Sequence, residues 1–589
     1  MQYALDRFER EIRQALAATG RVAEAQIELT TPKPNIPADL AFPTFRAAKE
    51  QGLPPPQLAQ QLAEALRFGP DSLVGQVSAA GPFLNFSLRD AGLTAAVLDE
   101  VARLGDRYGA DDQGQGKTVV VDYSAPNIAK TMHVGHIRST IIGQALYNIF
   151  AFLGYRTVGD NHLGDWGKQF GVNIAAIVKF GRPQGTSDEE TIAQIDQIYA
   201  LYNNLMKEEK ERGVTALDDE ARSWSLKLEQ GDPTARELWQ WMVDMTLRAN
   251  ETNYQRLGVR FDHTYGESFY EPMLPDVLRD ALSSGAAYRD ENGAVVVSEL
   301  EKNMPTFLLQ RSDGGTLYHT RDVATVLFRL REFQPAKLVY VVDARQELHF
   351  RQLFALVRAM GYVPPEVELV HIKFGTVFDQ KGEALSTRKG NMIFLADLLD
   401  DAHQRARTVV DQASADLPEE QKEAIAEAVG VGAVIYNDLY QDPRRDIKLD
   451  WERMLALEGN SAPYIQYMHA RCCSLLRKAE EQGDRPGTPD AQALASAGAL
   501  LTHASEQALV KRLARLPEAA REAGARYAPF VVAEWCYEMA RALSAFWRDC
   551  PVLKAQPELR AARLLLVAAT AQALENGLGL LGVRAPDRM

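Results

Sequence analysis

Two histidines, His133 and His136, stand three residues apart around Val134 and Gly135 in a chain of 589 residues that has only ten histidines. Pro126, Asn127 and Lys130 come just before them. Imidazoles at this spacing can ligate a metal, cap a helix or donate hydrogen bonds to an anion. Metal is poorly served, because no glutamate stands beside the pair as in a zincin and no cysteine pair or third histidine is near. Gly135 speaks against two ordinary capping histidines. Glycine is a weak helix former, and it is used where something flat or bulky must approach the backbone. A nucleotide base has that shape, and Lys130 adds a full positive charge for phosphate.

The neighbouring elements decide what such a pair faces. Val119, Val120 and Val121, between Lys117 and Asp122, form the continuous apolar run of a buried parallel strand. Ile137, Ile141, Ile142, Ala145, Leu146, Ile149 and Phe150 then recur at helical spacing. The reading is strand, loop, helix, with the histidines near the helix N-terminus. Free N–H groups and the helix dipole favour anions there, and the carboxyl end of a parallel strand is where open α/β sheets bind nucleotides. A second apolar run, "LVYVVDA", likewise ends in polar residues that it would deliver to a site.

Along the chain, residues 1–112 read as a small α/β domain, with a helix in "RFEREIRQALAA", a strand in "GPFLNFSL" and a Gly/Asp-rich linker in "GDRYGADDQGQGK". A Rossmann-type parallel-sheet core spans 113–345. It is interrupted at about 182–256 by a charged helical insertion whose stripe is Ile192, Ile195, Ile198, Tyr199 and Leu205. Residues 346–455 hold the compact basic turn "STRKGN" and a helical connection. An all-α domain fills 456–589 and opens with an N-capped "NSAPYIQYMHARCCSLLRKAEE".

The composition, 46% hydrophobic and 24% charged, is that of a globular protein. No apolar run is long enough for a membrane span and no secretory leader is apparent, so a cytoplasmic protein is expected. Cys472, Cys473, Cys536 and Cys550 form no CxxC pair and read as reduced, buried thiols, with no zinc site. A net charge of −14 argues against nucleic acid as a partner. Residues 456–589, however, carry 16 Lys+Arg against 14 Asp+Glu, a local +2. Lys511, Arg512, Arg515, Arg521 and Arg526 cluster there, as a basic patch or as a solvated helix face.

Taken together, these stretches resemble a known family. His133-Val134-Gly135-His136 resembles the HIGH element of class I aminoacyl-tRNA synthetases, and "LSTRKGN" resembles their KMSKS turn. "SAPNIAKTMHVGHIRST", "DWGKQFG", "TYGES", "LYHTRDVA", "YVVDARQELHF" and "NSAPYIQYMHAR" narrow the resemblance to the arginyl-tRNA synthetase family, along the whole chain. One departure stands out. The turn reads Ala384-Leu385-Ser386-Thr387-Arg388, so both lysines of the motif are absent, with Arg388 and Lys389 as partial substitutes. In this family the lysine upstream of HIGH is thought to stand in, which here is Lys130.

The resemblance implies activation of L-arginine with ATP and magnesium, then transfer to the 3′-terminal adenosine of tRNA(Arg), by a cytoplasmic monomer with no membrane partner. His133, His136, Lys130, Arg388 and Lys389 would serve catalysis, with His133, Gly135, His136, Ser386 and Thr387 around ATP. A guanidinium is best held by carboxylates that accept paired N–H bonds, which fits Glu267 and Asp322. Tyr318, one helical turn before Asp322, together with Asn127 and Gln346 completes the implied arginine pocket. For tRNA the candidates are Phe42, Phe45, Arg46 and Lys49 in the first domain, and Tyr464, Tyr467, His469 and Arg471 in the last. Periodicity alone serves the tyrosines equally well as core. Two rival readings stay open at this point: a nucleotidylyltransferase of the same superfamily and a non-catalytic RNA-binding relative.

Overall fold

The opening helix, Ala4–Ala18, places Phe8, Ile12 and Leu16 four residues apart on one face, and all three are buried. A three-stranded antiparallel sheet completes this domain, with β1 (Leu40–Pro43), β2 (Val74–Ala80) and β3 (Phe83–Leu88) in the order β1-β3-β2. The computed structural model describes residues 2–33, 35–385, 392–413, 416–484 and 486–589.

The second domain is built on parallel strands. β4 (Thr118–Asp122), in which every residue is buried, is followed by β5 (Arg156–Leu163) and β6 (His263–Gly266). A small antiparallel sheet follows, made of β7 (Tyr288–Arg289), β8 (Val295–Val297) and β9 (Phe307–Gln310). The chain then returns with β10 (Lys337–Asp343) and β11 (Glu368–Phe374). The main sheet runs β11-β10-β4-β5-β6, parallel throughout. From β4 the chain steps outward to β6 on one side, then resumes at β10 on the other. The order therefore reverses between β4 and β10, and the crevice beyond their carboxyl ends is the binding position of such sheets.

Four helices, Lys168–Phe180, Asp188–Glu211, Ala216–Glu229 and Pro233–Leu257, lie between β5 and β6, the last three forming the insertion. Ile192, Ile195 and Tyr202 are buried, and Ile198, Tyr199 and Leu205 pack beside them. From Leu395 the described chain is almost wholly helical, ending in the 24-residue helix Pro557–Leu580. No helix among the described residues is long and apolar enough to cross a membrane.

The Gly/Asp-rich segment near 105–116 is not a loose tether. Tyr108 is fully buried and donates to the carbonyl of Leu513 at 2.9 Å, and Asn576 donates to the carbonyls of Gly105 and Tyr108. With Lys511–Asp39 at 3.1 Å and Arg521–Asp6 at 2.7 Å, the first and last domains are packed on each other. One apolar core runs continuously through the first domain, one face of the sheet and the C-terminal helices.

Two buried arginines fix the sheet's carboxyl edge through ion pairs. Arg329 reaches Asp122 at the end of β4 and Asp160 in β5, at 2.7 and 2.8 Å. Arg138, one turn into the helix after the histidines, holds Asp438 through two bonds and also donates to the carbonyls of Pro443 and Arg445. Pairs so deeply buried add little net stability, because desolvation offsets their attraction, but breaking one is costly. They lock the strand ends and the helix in place.

Candidate active site

The helix Val134–Phe152 starts at His133, which is its N-cap. The two imidazoles cap each other's backbone. His133 Nδ1 accepts from the N–H of Gly135 at 3.1 Å, and His136 Nδ1 accepts from the N–H of His133 at 3.1 Å. A neutral imidazole that accepts on Nδ1 carries its proton on Nε2. Burial lowers both pKa values, that of His136 to about 3, and Lys130 adds to the lowering of each. At neutral pH the pair is therefore two uncharged Nε2–H donors. Their rings lie 4.0 Å apart.

Gly135 has a different reason from the one its sequence context suggests. A Cβ there would lie 2.8 Å from Cε1 of His133, so the flat group against this backbone is the His133 ring itself. The glycine lets the N-cap imidazole fold over the first turn.

The loop between β4 and this helix is strained and held from several sides. Ser124, Ala125 and Ala129 have φ of 73°, 51° and 59°, a region that non-glycine residues adopt at a cost. Ser124 is bonded through its N–H to Ser139 Oγ and through its hydroxyl to Tyr254 and Thr140. Ala125 N–H donates to Asn161 Oδ1, and Ala129 N–H to Thr246 Oγ1. Tyr254 and Thr246 belong to the insertion helix Pro233–Leu257, which thus buttresses the loop. Asn127 pairs with Gly164 beyond β5, where a Cβ would strike Asn127 Oδ1 at 2.3 Å. Lys130 Nζ lies 5.5 Å from the Tyr199 ring of the insertion.

Ser386, Thr387, Arg388 and Lys389 lie outside the described residues. The segment after them is placed directly on the histidine motif: Val134 N–H donates to Ile393 O, and Leu395 N–H to Met132 O, each at 3.0 Å. On the near side Leu385 N–H donates to Val377 O at 3.0 Å.

The candidate arginine residues follow other strand ends. Glu267 begins a short helix directly after β6, and Gln346 ends a 3-10 turn directly after β10, exposed. Tyr318 and Asp322 share the first turns of the helix Tyr318–Phe333, with Tyr318 exposed. Asp322 accepts a 2.6 Å hydrogen bond from His349 Nε2, which holds its carboxyl below the usual range despite burial. Among the described residues Glu267 has no such donor. Burial pushes its carboxyl up to about 7, with His162 and Arg321 opposing. A cleft of about 1000 Å³ is lined by Glu267, Tyr318, Glu271 and Arg321, and also by Lys168 and Glu229.

Three positioning residues escaped the sequence reading. Asp165 accepts from the N–H and hydroxyl of Ser268, at 2.8 and 2.6 Å, and so sets the turn that carries Glu267. His162 acts electrostatically on both Glu267 and Asp322 and has a buried, unpartnered Nδ1. His349 orients Asp322. Asp165 and His349 lie within "DWGKQFG" and "YVVDARQELHF", so the motif text held them. Their partners lie 103 and 27 residues away, which spacing does not reveal.

Two of the tRNA candidates are corrected. Phe42 is 1% exposed, because the pleat of β1 turns it inward opposite Leu84. His469 is 2% exposed and bonded to the carbonyl of Pro586. Neither presents a surface to a base. Phe45, Arg46 and Lys49 are exposed, with Phe45 edge-on to Phe83. On the last domain Tyr467 and Arg471 are exposed, the latter beside the Trp547 ring, while Tyr464 is half-buried against Tyr537.

Comparison with known proteins places these features. Residues 100–451 match the family model described as tRNA synthetases class I (R), catalytic domain. Residues 6–88 match the arginyl tRNA synthetase N terminal domain, and residues 465–589 the DALR anticodon binding domain. The chain is 62% identical to the arginine–tRNA ligase of Chloroflexus aggregans, over the full length of both. It is 37% identical to that of Escherichia coli O157:H7, over 98% of each. Its fold is similar to that of Thermus thermophilus arginyl-tRNA synthetase, with a TM-score of 0.81 and 26% identity over 99% of each chain.

Proposed function

The chain belongs to the arginyl-tRNA synthetase family and is an arginine–tRNA ligase, and from that premise we propose how its own residues divide the work. Membership sets aside both the nucleotidylyltransferase and the non-catalytic RNA-binding readings. In the first step the arginine carboxylate attacks the α-phosphate of ATP, releasing pyrophosphate. In the second, a hydroxyl of the terminal tRNA ribose takes the arginyl group. Neither step needs a nucleophile from the protein. Both need reactants held in line and donors placed where charge develops.

His133 and His136 donate from Nε2 to phosphate oxygens at the helix N-terminus, where backbone N–H groups add to the field. Being neutral, they bring no charge that bound ATP must first neutralise. Their hydrogen bonds strengthen as negative charge builds on the five-coordinate phosphorus. Lys130, Arg388 and Lys389 supply the formal positive charge. Magnesium enters with ATP as part of that substrate. The motif contributes imidazole, amide and ammonium groups and no carboxylate, so phosphate oxygens and water hold the ion. Glu267 and Asp322 grip the guanidinium while Asn127 and Gln346 hold the α-amino and carboxylate ends, beside Tyr318. Phe45, Arg46 and Lys49 in the first domain, and Tyr464, Tyr467 and Arg471 in the last, contact tRNA(Arg). The enzyme works as a cytoplasmic monomer.

The observation that carries this reading is the mutual capping of His133 and His136, which leaves Nε2 as the protonated nitrogen of each. The test is arginine-dependent ATP–pyrophosphate exchange, run with and without tRNA(Arg). Exchange is expected with arginine and not with lysine or citrulline, which lack the charged fork, and only when tRNA is present. Strong exchange in nuclease-treated, tRNA-free buffer would contradict the coupling. Exchange supported by citrulline would contradict the carboxylate grip.

A further inference from the structure

Lys130 is a cation that the fold leaves without an anionic partner. It is half-buried in the loop before the histidine helix, yet among the described residues it forms neither a hydrogen bond nor an ion pair. Lys168, which lines the cleft beside Glu267, is by contrast bound to Asp218 at 2.6 Å. What faces the Lys130 ammonium is a ring. Its Nζ lies over Tyr199, 5.5 Å from the ring centroid. Asp196 stands one helical turn before Tyr199 on the same face. Burial raises its carboxyl and the charge of Lys130 opposes the rise, but the two groups are not within ion-pair distance. That face of the helix therefore attracts the ammonium without bonding it.

Tyr199 and Asp196 belong to the insertion helix Asp188–Glu211, and the same helix sets the backbone from which Lys130 departs. Ile128 and Ala129 are buried in one cluster with its Ile192 and Ile195. Ala129, with φ of 59°, is also tied to Thr246 on the helix Pro233–Leu257, and Arg248 of that helix pairs with Asp188 at 2.8 Å. The same Lys130 ammonium acts on both His133 and His136. The kind of contact at Tyr199 matters. A carboxylate at ion-pair distance would accept the ammonium protons and would have to be displaced before a phosphate could take them. A ring face attracts the cation through its quadrupole and leaves N–H groups open to phosphate oxygens.

We propose that Tyr199 is a positioning residue for arginine activation: its ring holds the Lys130 ammonium beside the histidine motif without pairing it, so that the helical insertion completes the phosphate end of the site. The proposal rests on the assignment of Lys130 to the phosphates. Tyr199 touches no substrate and acts through the lysine alone. In the sequence it is one member of the insertion's apolar stripe, and nothing in that periodicity points to Lys130.

The test is arginine-dependent ATP–pyrophosphate exchange, with tRNA(Arg) present, by the full-length enzyme carrying Tyr199→Leu, Tyr199→Phe, Lys130→Met, or Tyr199→Leu together with Lys130→Met. Tyr199→Leu keeps the apolar bulk and loses the ring, so kcat should fall roughly 3- to 30-fold while arginine KM stays nearly constant. Tyr199→Phe keeps the ring face and should retain most of the wild-type kcat. In the Lys130→Met background Tyr199→Leu should have no further effect, because the group it positions is gone. A tyrosine needed only for packing would slow both backgrounds by the same factor, and that additivity would overturn the proposal. So would wild-type kcat in Tyr199→Leu, or Tyr199→Phe as slow as Tyr199→Leu. Wild-type exchange by Lys130→Met would overturn the assignment of Lys130 itself and the proposal with it, whereas the other contrary results leave that assignment standing.

Discussion

The proposed phosphate end and the proposed guanidinium end of this site are subject to the same force and use it in opposite ways. Burial disfavours charge wherever it acts. At the phosphate end it keeps His133 and His136 neutral, the form in which Nδ1 can accept from the backbone and Nε2 can donate. At the proposed guanidinium end it works against the assigned role, because the proposed ligand is a cation and its pocket needs anions. There the protein answers unevenly. Asp322 is kept ionised by the His349 hydrogen bond, while Glu267, without a strong donor, rises to about 7. Desolvation makes good donors of imidazoles unaided, but a buried carboxylate stays charged only if a second group is built in to hold it so.

The largest expected effect breaks the phosphate end. His136→Ala removes a donor that acts as charge develops, so kcat should fall on the order of 10²–10³-fold with arginine KM little changed. Near-wild-type kcat in the folded variant, measured by single-turnover adenylate formation, would remove His136 from the mechanism.

Asp322→Asn breaks the guanidinium end at its charged member. Losing a charge-assisted bond to a buried cation costs about 2–3 kcal/mol, or roughly 30- to 150-fold in arginine KM. Unchanged KM in steady-state charging assays would show that Asp322 does not touch arginine.

Glu267 sharpens the contrast through pH. With its pKa raised to about 7, it gains a proton as pH falls from 8 to 6 and loses the charge that attracts arginine. Asp322, below the usual range, stays ionised throughout that window. Arginine KM should therefore rise as pH falls, approaching about tenfold per pH unit below 7. In Glu267→Gln that slope should vanish. A wild-type KM flat from pH 6 to 8 would contradict the assignment.

The smallest effect concerns geometry alone. Gly135→Ala places a Cβ 2.8 Å from the His133 ring, which must shift to accept it. A loss of about tenfold in kcat is expected, with thermal stability nearly unchanged, since misplacing a positioned group slows the reaction without breaking the core.

What the sequence made legible was local. The valine run of β4 and the apolar helical stripe after His136 are periodicities, and they alone put the histidines at a helix N-terminus. The strand end delivering Gln346 was readable in the same way, while the four-residue β6 before Glu267 has no apolar run to read. What was not legible depends on contacts across the fold. Gly135 was read as room for a base because the rotamer of His133 is invisible in a sequence. The role of His349 needs the helix Glu347–Ala359 beside Tyr318–Phe333. Phe42 and His469 looked like surface aromatic and polar groups. The inward side of β1, and a tail returning over the helix Ala462–Glu481, put both inside.

The account rests on both motif histidines being neutral Nε2–H tautomers, and ¹⁵N NMR of histidine-labelled full-length protein measures that directly. Two-bond ¹H–¹⁵N spectra at pH 7, assigned with His133→Gln and His136→Gln, should show for each ring a protonated Nε2 and an unprotonated Nδ1, unchanged down to pH 5 for His136. An imidazolium pattern, or a proton on Nδ1 of either ring, would contradict it.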